Sequence, residues 1–263
     1  SYKYLKKFTK QWKNTKIISQ NNFGPAIATQ RGIDSASGDY IKLVGGDDIM
    51  EPNCTNILLD AIVSTKSVAI FSRYKLVKNY KTIKFKNDNK LLNLKIIENP
   101  ILETVKSSFS GTTPTLYDHD SIKISGGCNQ KIFIEDFSLA LALSTLGSFT
   151  FINNITSYGP LEDKNRIMNK KKTQLLHDYN AALFYFLKKN KNMNKKIKKI
   201  ACKKALGRTY NWCKRNKKFN FLNKMLLLKI LLTFGRNDYE ELIKESCTFF
   251  YDKVQKDEIR YKF

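Results

Sequence analysis

Leu43-Val44-Gly45-Gly46-Asp47-Asp48-Ile49-Met50-Glu51-Pro52 decides how the chain is read. Residues 40–44 form an apolar run that reads as a strand. The run enters two glycines, then two adjacent carboxylates, and a proline stops further extension. A buried strand that ends in Gly-Gly and presents Asp-Asp puts negative charge at the carboxyl edge of a sheet. In open α/β folds that edge is where ligands bind. Paired carboxylates there suit a hard divalent cation, and the cation can hold phosphates. The simpler alternative is a polar turn that caps the next helix, because Asp is a favoured N-cap residue.

The segments around this turn extend the pattern. Residues 2–12 carry apolar side chains at helical spacing, residues 15–19 are a short β-rich run, and residues 21–25 are a turn. Residues 26–36 predict a helix of small residues, residues 52–63 a second helix, and residues 68–71 a buried strand. Strand and helix alternate, which predicts βαβ units and a mostly parallel sheet flanked by helices. Residues 74–93 alternate Lys with apolar residues and read as an exposed hairpin or loop. Residues 101–109 predict a helix, and residues 110–114 a Gly/Thr/Pro loop. A second glycine turn, Gly126-Gly127, precedes Glu135-Asp136 and a helix over residues 137–146. A last strand is expected at residues 149–152.

Beyond residue 170 the pattern is helical. Leu175, Leu176, Tyr179, Ala182, Leu183, Phe186 and Leu187 form a broad apolar stripe. Residues 188–218 hold 14 basic residues and no acid. Residues 221–234 are mostly apolar, and Asp238 can cap a last helix bearing Leu242, Ile243, Cys247, Phe250 and Val254. The spacing therefore predicts two parts, an α/β domain over residues 1–165 and a helical, strongly basic region over 166–263.

Charge follows the same division. Residues 1–163 carry a net +5, and residues 164–263 a net +19 of the total +24. A basic region of this kind suits polyanions, either nucleic acid or the anionic face of a membrane. No nucleic-acid-binding signature accompanies it, and aromatics are sparse, with Tyr210 and Trp212 within it. Five scattered cysteines and two histidines disfavour a disulfide framework or a zinc site and point to a reducing cytoplasm. No signal-peptide pattern opens the sequence, and no run reaches the roughly 18 apolar residues of a span.

Two acidic pairs thus stand out, Asp47-Asp48 and Glu135-Asp136, each after a Gly-Gly turn and an apolar stretch. One pair can hold a metal while the other acts as a base. A carboxylate at a helix N-terminus is expected to stay ionised, because the dipole and free N–H groups favour its charge. Plain N-capping is the alternative for the second pair.

Asn22-Phe23-Gly24, Ala28, Gly32-Ile33, Ala36, Gly38-Asp39-Tyr40-Ile41-Lys42 and Asp47-Asp48 with Pro52 resemble the family-2 glycosyltransferases of GT-A fold. Ser125-Gly126-Gly127, Glu135-Asp136, Leu139 and Gly147 resemble that family's second signature. The likeness covers residues 2–160. It implies an inverting transfer from a nucleotide sugar, a UDP-sugar, to a glycan or lipid-linked acceptor in bacterial surface polysaccharide synthesis. It places Asp47 as the ligand of a divalent cation (Mn²⁺ or Mg²⁺), with Asp48 beside it at the donor. Asp136 takes the place of the catalytic base, Glu135 a place near the acceptor, and Asn22 and Gly24 the path of the nucleotide. Localisation is then cytoplasmic, with the basic helices against the inner face of the membrane.

Four departures accompany the likeness. Gly45 stands where the family has the leading Asp of its Asp-x-Asp motif. Thr29-Gln30 replaces Arg-Asn, with Arg31 one place late. The opening half of the nucleotide-binding unit is not matched, a stretch of roughly 60 residues on the length of βαβ units. The family's His near residue 160 is replaced by Tyr158-Gly159-Pro160-Leu161-Glu162-Asp163, where Glu162 or Asp163 offers an oxygen. These departures motivate an alternative, a catalytically incomplete remnant with a binding role. A basic nucleic-acid-binding protein is the third and weakest.

Overall fold

The computed structural model describes residues 2–85, 93–107, 109, 111–161, 171–216, 219–235 and 237–251. The long strand β6 (Phe149–Pro160) organises the sheet. On one side it pairs in parallel with β3 (Ala69–Val77). On its other side β4 (Leu94–Ile97) pairs antiparallel with its first half, and β2 (Ile49–Met50) with its second half. Beyond β3 lie β5 (Thr115–Asp118) and then β1 (Tyr40–Ile41), each antiparallel to its neighbour. The order is β1-β5-β3-β6-β2, with β4 also on β6.

The sheet is therefore mixed and mostly antiparallel, not the mostly parallel sheet that the strand–helix alternation predicts. The reason is insertion. β1 and β3 do run the same way, joined by helix α3 (Cys54–Thr65), as a βαβ unit requires. The later strand β5 enters between them in the opposite direction.

Successive side chains point to opposite faces of the sheet, and both faces are covered. Ala69, Phe71 and Tyr117 face a core shared with Ile33, Ile122, Leu139 and Phe149, roofed by α2 (Pro25–Ser35), α5 (His119–Ser125) and α6 (Glu135–Leu143). Ile70, Leu116 and Ile152 face the other way, onto Cys54, Leu58 and Ile62 of α3. Register shifts after Ser72 and Arg73 leave extra residues on β6. Such bulges bend a strand. Past the bend, β3 and β6 continue beside β2 and carry the candidate site.

Helix α1 (Tyr2–Phe8) is shorter than the sequence predicts, and residues 15–19 run without regular structure. Helix α4 (Pro100–Ser107) and α6 join the helical region through the largest core cluster. That region comprises α7 (Lys172–Lys189), α8 (Lys195–Arg215), α9 (Phe219–Thr233) and α10 (Tyr239–Thr248). Its centre holds a buried polar knot. Asn180 Nδ2 donates to Thr209 Oγ1 and Ser246 Oγ, and Arg208 donates to Asn180 Oδ1 at 2.6 Å. Burial pulls the Arg208 guanidinium down to about 10. All five cysteines are buried. Glu162, Asp163, Val254 and residues 86–92 of the loop between β3 and β4 lie outside the described residues.

Candidate active site

Asp48 immediately precedes β2, and the pairing of Ile49 with Tyr158 brings it to Gly159 on β6. Its Oδ1 accepts from Tyr74 Oη at 2.6 Å, and its Oδ2 accepts from Thr113 Oγ1. The same Thr113 hydroxyl accepts from the Gly45 N–H at 2.9 Å. Lys42 Nζ donates to the Thr113 carbonyl and, at 3.3 Å, to that of Thr115, which fastens the loop to the first strand. Burial lowers the Lys42 pKa, partly offset by Cys54 and Asp48. Asp47 is exposed, and Tyr80 Oη donates to its carbonyl at 2.5 Å.

This arrangement accounts for Gly45. A Cβ there would lie 2.8 Å from Asp48 Oδ2 and 3.3 Å from Asp47 Oδ1. The space beside residue 45 is already filled by a carboxylate, that of Asp48.

Gly159 is under a sharper constraint. A Cβ there would come within 1.4 Å of Tyr74 Oη and 2.8 Å of Asp48 Oδ1. Gly159→Ala is expected to expel the Tyr74 ring from Asp48 and to cost about 1–3 kcal/mol of stability by overpacking. Thermal melting reads the cost. An unchanged melting temperature would show that Tyr74 moves freely.

Asp136 opens α6. Its Oδ1 accepts from the Phe137 N–H and its Oδ2 from the Gly111 N–H, both at 2.7 Å. The helix terminus was expected to keep the pair ionised. Burial outweighs it: desolvation raises the Asp136 carboxyl despite its backbone N–H partners, and desolvation together with Asp136 pushes Glu135 up to about 7. The two carboxyls titrate as a pair, with a shared proton retained toward neutrality.

The loop before β5 unites the two halves. Gly111 holds Asp136 and Thr113 holds Asp48, and two residues of chain span at most about 7 Å. The structure thus brings together Asp48 and Asp136, with Asp47 and Glu135 as their chain neighbours. Asn22 and Gly24 form a separate turn. Asn22 Oδ1 accepts from the Gly24 N–H at 3.2 Å, and Gly24, at φ 95°, opens α2. Gln30 of α2 accepts from the Cys128 N–H, tying that helix to the second glycine turn. Arg31 lies over the Phe23 ring.

The sequence alone missed Thr113, Tyr74, Gly159 and Gly111. Only the Gly/Thr/Pro loop read over residues 110–114 marked two of them, Gly111 and Thr113.

The family model "Glycosyl transferase family 2" matches residues 1–124. That stretch is similar to glycosyl transferase family 2 over a little under half of the chain. It includes Asn22, Gly24, Asp47 and Asp48 and ends before Glu135-Asp136. No curated protein matches the chain in sequence. Among solved structures, the chain is similar to S. aureus TarS 1-349 (12% identity, TM-score 0.59), with 97% of this chain and 79% of that chain covered. It is also similar to the same fragment in complex with UDP-GlcNAc (13%, TM-score 0.58), with 95% and 68% covered. Against TarS itself the identity is 13% and the TM-score 0.55, with 78% of this chain and 35% of that one covered. The chain thus spans about a third of TarS. These likenesses show the fold, an α/β sheet followed by helices.

No group of three or more metal-ligating side chains occurs among the described residues. The turn at Asp47-Asp48 nevertheless fits a hard divalent ion of the kind that uses one or two carboxylates and takes its other oxygens from substrate phosphates. Asp47, exposed beside the anchored Asp48, supplies such a carboxylate.

Proposed function

We propose that the chain is an inverting glycosyltransferase that moves a sugar from a UDP-sugar to a hydroxyl of a glycan or lipid-linked acceptor in bacterial surface polysaccharide synthesis. The carrying observation is the segment Gly111–Thr113, which ties Asp136 and Asp48 to one short piece of backbone. The UDP and UDP-GlcNAc complexes of the similar TarS fragment support the choice of donor.

In this reading residues 1–165 carry the chemistry. The donor diphosphate lies between the turn at Asp47-Asp48 and the α2 N-terminus opened by Asn22 and Gly24, where free backbone N–H groups favour anions. Asp47 would hold a divalent cation, Mn²⁺ or Mg²⁺. Such an ion, when bound, supplies Lewis-acid stabilisation of the departing diphosphate. Asp48 stays fixed by Tyr74 and Thr113 and holds the turn in shape. Glu135 orients the acceptor. Asp136 takes the acceptor's hydroxyl proton as the oxygen bonds to the anomeric carbon. The bond from that carbon to the diphosphate oxygen breaks on the opposite face, and the electron pair leaves with UDP. A single displacement of this kind inverts the anomeric centre.

The basic helices of residues 166–263 face an anionic membrane surface on the cytoplasmic side in this reading. No helix among the described residues is long and apolar enough to cross a membrane.

Release of UDP from UDP-sugars by the full chain, with Mn²⁺ or Mg²⁺, tests the proposal. Asp47→Ala is expected to lower turnover at least about tenfold and to weaken its dependence on added metal. A chain that neither binds nor turns over any UDP-sugar would leave only the incomplete-remnant reading.

A further inference from the structure

The mostly apolar stretch 221–234 becomes most of α9, which carries apolar residues on two sides. Leu228 and Leu232 are buried in the bundle, whereas Leu226, Leu227, Ile230 and Phe234 are exposed at 44%, 53%, 43% and 85%. At about 100° per residue these four fall within an arc of roughly 100°, and Leu228 and Leu232 lie on the other side. Lys224 and Lys229 sit roughly 60° beyond the two ends of that arc. Both reach toward the protein. Lys224 Nζ lies 2.8 Å from Glu245 and over the Phe249 ring, and Lys229 Nζ lies 4.5 Å over the Tyr210 ring. A surface helix of a soluble domain does the reverse, turning apolar residues in and charges out.

The neighbouring surface says what this face meets. Tyr210 belongs to α8, so α8 borders the Lys229 side of the arc. Lys203 and Lys214 share the Tyr210 stripe of α8, at seven residues before it and four after, and both are exposed. An apolar arc edged by lysines and bordered by a basic stripe matches an anionic lipid interface, where acyl chains take the apolar residues and headgroup phosphates the ammonium groups. The 15 residues of α9 make a helix of about 22 Å, too short for a hydrocarbon core of about 30 Å but suited to lying along its surface.

We propose that Leu226, Leu227 and Ile230 of α9, with Phe234 just past its end, insert into the interfacial layer of an anionic bilayer, with Lys203 and Lys214 on the phosphates beside them. The inference rests on the reading of the basic helices as membrane-facing, and it adds a seat in the lipid to a purely electrostatic attraction.

Co-sedimentation of the full chain with vesicles of equimolar phosphatidylglycerol and phosphatidylcholine tests it. The expected result is binding that persists in part at about 0.5 M NaCl, where surface charge is screened. The double variant Leu227→Ser/Ile230→Ser, with unchanged circular dichroism, is expected to bind roughly 30-fold more weakly. Phe234→Trp is expected to shift its emission to the blue on adding vesicles. Equal binding by wild type and double variant, fully released by salt, would overturn insertion and leave the electrostatic reading standing. No binding to the vesicles at all would overturn both. A wild-type dimer that the double variant splits would assign the face to a second copy of the chain and overturn insertion.

Discussion

Asp136→Asn is expected to lower turnover by about 10²–10⁴-fold, the usual contribution of a positioned general base, while donor affinity stays nearly unchanged. The split follows from geometry. Asp136 is held by the Gly111 and Phe137 N–H groups at the mouth of α6, whereas the proposed donor contacts lie at Asp47-Asp48 and at the α2 N-terminus. The pH profile carries a second expectation. A base raised by burial must lose its proton to act, so wild-type kcat/KM should rise with pH up to the titration of the carboxyl pair near neutrality. Stability moves the other way. Carboxyls raised in the folded state hold protons that the unfolded chain would release, so stability falls as pH climbs from the ordinary carboxylate range to about 7. Asp136→Asn removes one of the pair and relieves Glu135 of its charged neighbour, so this slope should shrink. Steady-state kinetics and melting curves across pH read both effects. Turnover within tenfold of wild type in Asp136→Asn would remove Asp136 from the role of base.

The helices of this chain were largely legible because each has one apolar face at 3.6-residue spacing. Leu58, Ala61 and Ile62 of α3, and Leu183, Phe186 and Leu187 of α7, sit buried where the pattern put them. The sheet was less legible. β1 and β2 are two residues long, too short for a period, and nothing near Thr115–Asp118 announces that β5 enters between β1 and β3. Local alternation gives strand direction across α3 but not the identity of neighbours. The last strand was expected over residues 149–152, yet Asn153-Asn154 sit at the β6 bulge, and the strand continues to Pro160. In the site, the two acidic pairs declared themselves through the Gly-Gly turns before them. Their holders did not. Tyr74, Thr113 and Gly159 meet Asp48 only after the loop before β5 and the far end of β6 have folded onto the first strand. Gly45 looked like a lost carboxylate, and only the folded turn shows that the carboxylate of Asp48 fills the place beside it.

Asp178→Ala is expected to be the most destabilising single change in the chain, by about 3–5 kcal/mol, because it empties the acceptor side of a buried charged network. Asp178 is fully buried on α7. Its Oδ1 accepts from Gln174 Nε2 at 2.9 Å and lies 2.6 Å from His177 Nδ1, and its Oδ2 accepts from the Phe133 N–H at 2.5 Å. Removing the carboxylate strips all three groups of this partner inside the core. The last contact has a functional consequence. Phe133 belongs to the short segment that leads into Glu135-Asp136, so α7 of the helical region fixes where the proposed base begins. The milder Asp178→Asn keeps the shape but offers one acceptor oxygen in place of two. It is expected to cost about 1–3 kcal/mol, a fall of roughly 2–12 °C in melting temperature. At temperatures well below its melting point it should still lose about tenfold in turnover, since small displacements of a catalytic group are costly. Melting curves and kinetics on the same preparation separate the two effects. A folded Asp178→Asn with wild-type turnover would show that the helical region stabilises the α/β part without positioning its chemistry.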